Sequence, residues 1–210
     1  MRPRPVVMFD TRMSPLESLR QAVVRTSELT RDRPATGLSH DDADDQAGTI
    51  DTDSARGFDP FPLLRALQTA GARVAAIGQV AGILHGSQEL TGDLDLLWDG
   101  DPGQSSALVQ AFTAVGAHLL DDDRQPVSLA PSAFLLPKVQ FESATASGDL
   151  CTPELPWGSL DVREFLSRAL TVSDVDGLEV HYLRRADLVS MRRAVGRPKD
   201  LRRAAELELL

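Results

Sequence analysis

The sequence predicts an α/β (α+β) protein, a mixed β-sheet flanked by helices and closed by two C-terminal helices. Three observations lead there. Short apolar, strand-like runs alternate with helical spacings from Phe58 onward, the pattern of a layered sheet-and-helix domain. The stretch Val74 to Trp98 packs an apolar strand, a Gly78-Gln79 turn, a short apolar helix and a second strand carrying Asp93 and Asp95 into one unit. The last 25 or so residues carry two amphipathic helical spacings separated by Gly196 and Pro198.

Composition sets the class and little more. The chain has 210 residues, 42% hydrophobic and 25% charged, as in soluble globular proteins, with room for one domain and a tail. A formal net charge of -9 argues against coating nucleic acid through bulk electrostatics. Cys151 is the one cysteine, so no internal disulfide forms. No apolar run approaches the roughly 18 residues that span a bilayer, and a soluble, cytoplasmic protein without membrane partners is expected. Charge is unevenly placed: Asp41, Asp42, Asp44, Asp45, Asp51 and Asp53 crowd one segment, whereas Arg184, Arg185, Arg192, Arg193, Arg197, Lys199, Arg202 and Arg203 crowd the C-terminal end.

Taken in order, residues 1–57 are expected to form a largely disordered arm. Within it Pro15 to Leu29 has helical spacing, with Leu16, Leu19, Val23 and Val24 on one face. From Arg31 to Gly57 large apolar residues are few and acids many, so burial cannot offset ordering entropy, and an acidic linker is expected. A self-inhibitory arm competing with phosphate for the basic C-terminal end is the functional alternative. The folded domain, residues 58–210, starts where Asp59 and Pro60 precede the helical spacing of Leu63, Leu64 and Leu67, ended by Gly71. Arg73 to Ile77 reads as a strand, Gln79 to Leu84 as a helix, Asp93 to Asp99 as a strand and Ser105 to Val115 as a helix. Pro131 and Pro137 break the middle section into two or three short strands, including Lys138 to Glu142 and Ser147 to Cys151. A helix over Asp161 to Leu170, a strand over Leu178 to Leu183, and helices over Ala186 to Val195 and Pro198 to Leu210 complete the chain.

In a strand, side chains two apart share a face, so Asp93 and Asp95 point the same way, about 6 to 7 Å apart along the backbone. Two such carboxylates repel unless a cation lies between them, and magnesium takes oxygen ligands while leaving places for phosphate and water. Gly78 and Gln79 end one strand and begin a helix, offering amides to an anion.

These residues resemble a family. Gly78-Gln79, the helix ending His85-Gly86, and Thr91-Gly92-Asp93-Leu94-Asp95 are similar to the signature of the nucleotidyltransferase fold, Gly-Gly or Gly-Ser followed by Asp-x-Asp. Asp187-Leu188 to Met191 with Arg197-Pro198-Lys199-Asp200-Leu201 is similar to the closing motif of small prokaryotic members, including abortive-infection-type nucleotidyltransferase toxins. The resemblance covers about Phe58 to Leu210. It implies a nucleotidyltransferase-like mixed sheet and two Mg2+ ions held by Asp93 and Asp95. The implied reaction is transfer of a nucleoside monophosphate from a nucleoside triphosphate to an acceptor hydroxyl of RNA or protein. It also implies nucleotide contacts from Gly78, Gln79, Thr91, Arg192 and Arg197, with Lys199 nearby, RNA engaging the basic C-terminal helices, and a cognate protein partner of the toxin-antitoxin kind.

The chain departs from the family pattern. Gln79 replaces Gly or Ser, Glu89 stands where a basic residue is common, and Arg192 where lysine is. Cys151 takes the position of the third carboxylate in Gly148-Asp149-Leu150-Cys151, and a thiol is a poor magnesium ligand. Asp149, two residues earlier on the same strand face, is the candidate replacement and completes the catalytic set, with Glu142 a more distant one. Cys151 and His85 read as packing residues, Trp98 and Trp157 as core or rim aromatics, and Arg202 and Arg203 as solvated. The alternative to an enzyme is a catalytically impaired member acting as a nucleotide- or partner-binding module.

Overall fold

A computed structural model describes residues 13–39, 42 and 49–210. It consists of α1 (Pro15–Thr30), α2 (Phe61–Ala70), β1 (Val74–Ala76), α3 (Gly78–Leu84), β2 (Leu96–Trp98), α4 (Ser105–Ala114), β3 (His118–Leu120), β4 (Pro126–Val127), β5 (Lys138–Glu142), β6 (Ser147–Cys151), α5 (Val162–Ser167), β7 (Leu170–Ser173), β8 (Glu179–Tyr182), α6 (Arg185–Val195) and α7 (Pro198–Leu209). The strands form one eight-stranded mixed sheet in the order β4-β3-β5-β6-β2-β1-β8-β7. β1 runs parallel to β8 and β2 parallel to β6, and the remaining pairs are antiparallel. The α+β architecture expected from the alternation of elements is therefore present.

The core lies against the sheet. Leu94, Leu96, Leu97, Trp98 and Leu150 are buried in the middle strands, and Phe112 of α4 packs with its ring centroid 5.3 Å from Phe134 and 5.1 Å from Phe141, close to the spacing that aromatic pairs favour. Among the described residues, no helix is long and apolar enough to cross a membrane.

Three strands were not legible. β3, β4 and β7 are two to four residues long, too short for alternation to register. β7 also occupies the end of the run read as helix, because α5 stops at Ser167. The strand expected over Asp93 to Asp99 is shorter, with the paired part at Leu96–Trp98. Its approach is still tied by backbone bonds from Leu94 N to Ser147 O and from Ile77 N to Asp95 O, both 2.9 Å.

Over its described residues the arm carries a helix, α1, where the spacing from Pro15 to Leu29 placed one. α1 has a capping box in which Ser14 and Glu17 bond each other's amides. It buries Leu16, Leu19, Ala22, Thr26 and Thr30, while Val24 is 55% exposed. That is the face a 3.6-residue period sets from Leu16. Two threonines in the stripe conceal it from an apolar count; Thr26 donates to Thr91 O and Thr30 to Thr26 O. Beyond α1, the Arg33 guanidinium donates to Ile50 O and Thr52 O, Asp53 accepts the amides of Thr36 and Gly37, and Thr49 donates to Leu90 O. The amide of Thr36, followed by that of Gly37, holds the Asp53 carboxyl below its usual range. Polar side chains bonding the backbone, rather than large apolar side chains, hold these segments, which composition does not reveal. Asp41, Asp44 and Asp45 of the expected acidic linker lie outside the described residues.

Candidate functional site

β2 and β6 are parallel and in register, Leu96 beside Leu150 and Leu97 beside Cys151. One step earlier the same register sets Asp95 beside Asp149, at the spacing of about 4.8 Å between neighbouring strands. Side by side in a parallel pair, the two carboxylates share a face. Cys151, two residues on in β6, shares it too; Asp93 lies ahead of β2, and Leu94, Leu96 and Leu150 are buried in the core.

All four open into one cavity of about 260 Å³. Its polar rim is Gly78, Lys138, Arg197, Lys199 and Asp200, and its apolar side is Leu155, Trp157, Leu188, Met191 and Val195. Asp149, on which the sequence expectation depended, thus lines the same cavity as Asp93 and Asp95.

Gly78 shapes the cavity floor. Its φ is 58°, which side chains disfavour. A Cβ there would lie 2.9 Å from Asp95 Cγ and overlap Oδ2, so the missing side chain lets the carboxylate rest against the turn.

The other expected nucleotide contacts are mostly engaged in holding this floor. Gln79 is 2% exposed; its amide nitrogen donates to Ser87 Oγ and Glu89 O, each at 2.9 Å, and its Oε1 accepts from Arg192 at 2.9 Å. Arg192 is buried and also donates to Gly78 O at 2.9 Å and to Arg203 O at 3.1 Å. Burial, reinforced by Arg203, pulls its pKa to about 10, so it remains charged at neutral pH. Thr91 is buried and donates to Asp93 Oδ1. These three side chains orient the turn and the carboxylate, and Gln79 and Arg192 also line the cavity. Arg197 does face the cavity: its side chain is 60% exposed and its Nε donates to Asp200 at 2.6 Å. The bond to Asp200 raises its pKa, and the charges of Asp95 and Asp93 add to that. Lys199 lines the cavity with its pKa lowered by burial and then by Arg197, against the pull of Asp93.

Sequence reading missed Lys138 and Asp200 as cavity residues. Lys138 pairs across β5–β6 with Cys151, so a register argument finds it once the hairpin is known. Its Nζ lies 3.7 Å from Asp149 Oδ2 and 3.0 Å from Asp122 Oδ1.

Arg203 is not solvated. It is 7% exposed and meets Glu89 at 2.8 Å, with Arg202 at 3.7 Å from the same carboxylate. The acid that departs from the family pattern is therefore matched by arginines from α7. Arg193 pairs with Glu208 at 2.7 Å and Arg197 with Asp200 at 2.6 Å, so part of the basic C-terminal charge is compensated within the fold. Glu142 sits at the far end of β5, bonded to Arg124 at 2.7 Å and His118 at 3.1 Å, and does not stand in for the third carboxylate. Burial, then Asp149 and Asp95, push the Cys151 thiol well above its usual range, leaving it neutral. His85 bonds Leu183 O at 2.8 Å, and its ring lies 5.0 Å from that of Tyr182 at a tilt of 58°.

The donor set fits magnesium held by two carboxylates. Asp93 and Asp95 share a face beside a turn that leaves space for oxygen ligands, and magnesium commonly takes one or two carboxylates plus phosphate and water oxygens. Among the described residues no group of three or more His, Cys, Asp or Glu has a metal-holding arrangement. No protein-family model matches the chain, and no curated protein matches it.

Proposed function

We propose that the chain is a nucleotidyltransferase-fold enzyme that moves a nucleoside monophosphate from a magnesium nucleoside triphosphate to an acceptor hydroxyl. The observation that supports this reading is that Asp93, Asp95 and Asp149 line one cavity beside the Gly78 turn, where β2 and β6 run in register. Asp93 and Asp95 would hold the cation, which when bound neutralises phosphate charge and polarises the phosphoryl oxygens.

The chain's own groups divide the rest of the work. Arg197 and Lys199 line the same cavity as the carboxylates and suit triphosphate oxygens. Leu155, Trp157, Leu188, Met191 and Val195 give an apolar wall for a base. Asp149 is the carboxylate positioned to accept the acceptor's proton. The acceptor oxygen then bonds to the α-phosphorus, the bond from that phosphorus to its bridging oxygen breaks, and pyrophosphate leaves. The acceptor is RNA or a protein, and internal pairing of the C-terminal arginines weighs against a broad basic RNA platform.

Incubation with each of four labelled triphosphates, magnesium and total cellular RNA tests the reading, with label scored on both RNA and protein. Label dependent on Asp93 supports it; no label from any triphosphate counts against it. A second reading, a nucleotide- or partner-binding module in a toxin-antitoxin pair, draws on the occupied Gln79 side chain and the neutral Cys151. Nucleotide binding without transfer would favour it.

A further inference from the structure

Asp93 lies ahead of β2, outside the paired residues Leu96–Trp98. On its C-terminal side Leu94 N is tied to Ser147 O. On its N-terminal side the three preceding residues are each gripped by the N-terminal arm. Leu90 O accepts from Thr49 Oγ1 at 2.8 Å, and Thr91 O from Thr26 Oγ1 at 3.3 Å. Gly92 lies so close to the arm that a Cβ there would sit 2.4 Å from Ala55 Cβ and 2.5 Å from Ala55 Cα, an approach that only glycine permits. Ala55 is itself tied to α1, its carbonyl accepting from Thr30 Oγ1 at 3.2 Å. The chain of contacts ends on the carboxylate, where the Thr91 hydroxyl donates to Asp93 Oδ1. Thr26, Thr30 and Thr91 are all buried, so bulk water cannot stand in for these bonds.

We propose that Thr91 is a positioning residue for the carboxylate of Asp93, and that α1 and the segment 49–55 set Thr91 in place, so that the N-terminal arm is a working part of the cation site. This rests on the nucleotidyltransferase reading above, in which Asp93 holds a divalent ion. A carboxylate that ligates a metal can turn about its own side-chain bonds, and a donor fixed on one oxygen stops that rotation and directs the remaining lone pairs. Thr91 can act so only while its own backbone is held. It belongs to a stretch with no helix or strand of its own, and the bond from Thr26 supplies the fixed point. Threonine in the buried stripe of α1 is explained in the same way. Valine would fill nearly the same space, but it could not bond Thr91 O or Ala55 O. An arm that competed with phosphate would act on the other ligand, and loosening it would leave the hold on the cation unchanged.

Mn2+ affinity of the folded chain tests the proposal without turnover. The full-length protein is titrated with Mn2+ alone, the unbound ion is read by electron paramagnetic resonance, and circular dichroism checks that each variant is folded. Thr91→Val, which removes the hydroxyl and keeps the branched shape, is expected to raise the Kd about 10- to 100-fold, as loss of a donor behind a metal ligand does. Thr91→Ser, which keeps the hydroxyl, is expected to stay close to wild type. Thr26→Val and Thr49→Val leave Asp93 and Thr91 themselves intact and are expected to raise the Kd at least about 2-fold. A merely structural role would lower the urea midpoint and leave the Kd of the folded protein unmoved. Wild-type Kd in Thr91→Val, or in both arm variants, would overturn the proposal while leaving the nucleotidyltransferase reading standing. A wild type that binds no Mn2+ would remove both. Thr49 is only partly buried, so its variant keeps the test open where a buried substitution does not fold.

Discussion

Gly78→Ala isolates the contact on which the site geometry depends. The new methyl group faces two costs. The first is conformational: φ at residue 78 is 58°, and a left-handed conformation costs a non-glycine residue about 1–2 kcal/mol. The second is steric: the Cβ would sit 2.9 Å from Asp95 Cγ and 3.0 Å from Asp95 Cβ, overlapping Oδ2, and forced overpacking costs about 1–3 kcal/mol. Together they predict a loss of about 2–5 kcal/mol in urea unfolding. A double-mutant cycle separates the two. Asp95→Ala removes the carboxylate, so only the conformational cost and the Cβ contact remain, and a coupling of about 1–3 kcal/mol is expected. Asp95→Asn keeps the shape and should show little coupling with Gly78→Ala. Mn2+ affinity of Gly78→Ala should fall as the carboxylate is pushed aside. Additive effects of Gly78→Ala and Asp95→Ala would refute the argument, because the carboxylate would then not rest against the turn.

Three further outcomes follow from the surroundings. Arg192→Met leaves Gly78 O, Gln79 Oε1 and Arg203 O without their donor; part of that loss is offset by relief of a buried charge, and a net destabilisation of about 2–4 kcal/mol is expected in urea, with lysine a poor substitute for the fork. Glu89→Arg sets a third positive charge against Arg202 and Arg203 and should lower the melting temperature by several degrees. Adding Arg203→Glu should recover much of it, and no recovery would argue against a specific pair. Burial, only partly countered by the bond to Leu183 O, lowers the pKa of His85. The unfolded chain therefore takes up this proton at higher pH than the folded one. Stability from neutral His85 is present above about pH 6.5 and is lost as pH falls from there through the folded pKa. His85→Gln should flatten that part of a stability-against-pH curve measured by urea unfolding.

The sequence revealed the elements that repeat a period and hid those that depend on partners. Leu63, Leu64 and Leu67 mark α2, and Leu188, Val189 and Met191 mark α6, because their spacing is set by one helix alone. Asp93 and Asp95 were legible for the same reason, as two residues on one strand face. Asp149 was named as a candidate, but its place depended on which strand lies beside β2, a long-range fact. Lys138 was invisible for that reason too, since only its pairing with Cys151 puts it in the cavity. Thr91, Gln79 and Arg192 have the polar chemistry of ligand contacts, and sequence cannot distinguish a side chain that bonds a substrate from one that bonds the backbone of its own fold.

The residues at which the chain departs from the nucleotidyltransferase pattern it resembles are less independent than they look one at a time. Gln79 fills space behind the turn, and its amide is held between Ser87, Glu89 O and Arg192. Arg192 reaches it while also bonding Gly78 O and Arg203 O. Arg203 in turn pairs with Glu89, whose own backbone oxygen closes the circuit at Gln79. Three unusual residues, Gln79, Glu89 and Arg192, thus belong to one buried network that ties α6 and α7 to the Gly78 turn. A network of this kind is costly to interrupt at a single point, because each deletion leaves a buried partner unsatisfied. Reverting only Gln79 to the serine common in the family should therefore weaken the fold rather than improve the site, removing both the donor to Glu89 O and the acceptor for Arg192. Changing Gln79 and Arg192 together to serine and lysine should cost less than the sum of the two single changes, measured by urea unfolding. A strictly additive result would mean that these residues diverged separately and that the turn is not held from α6.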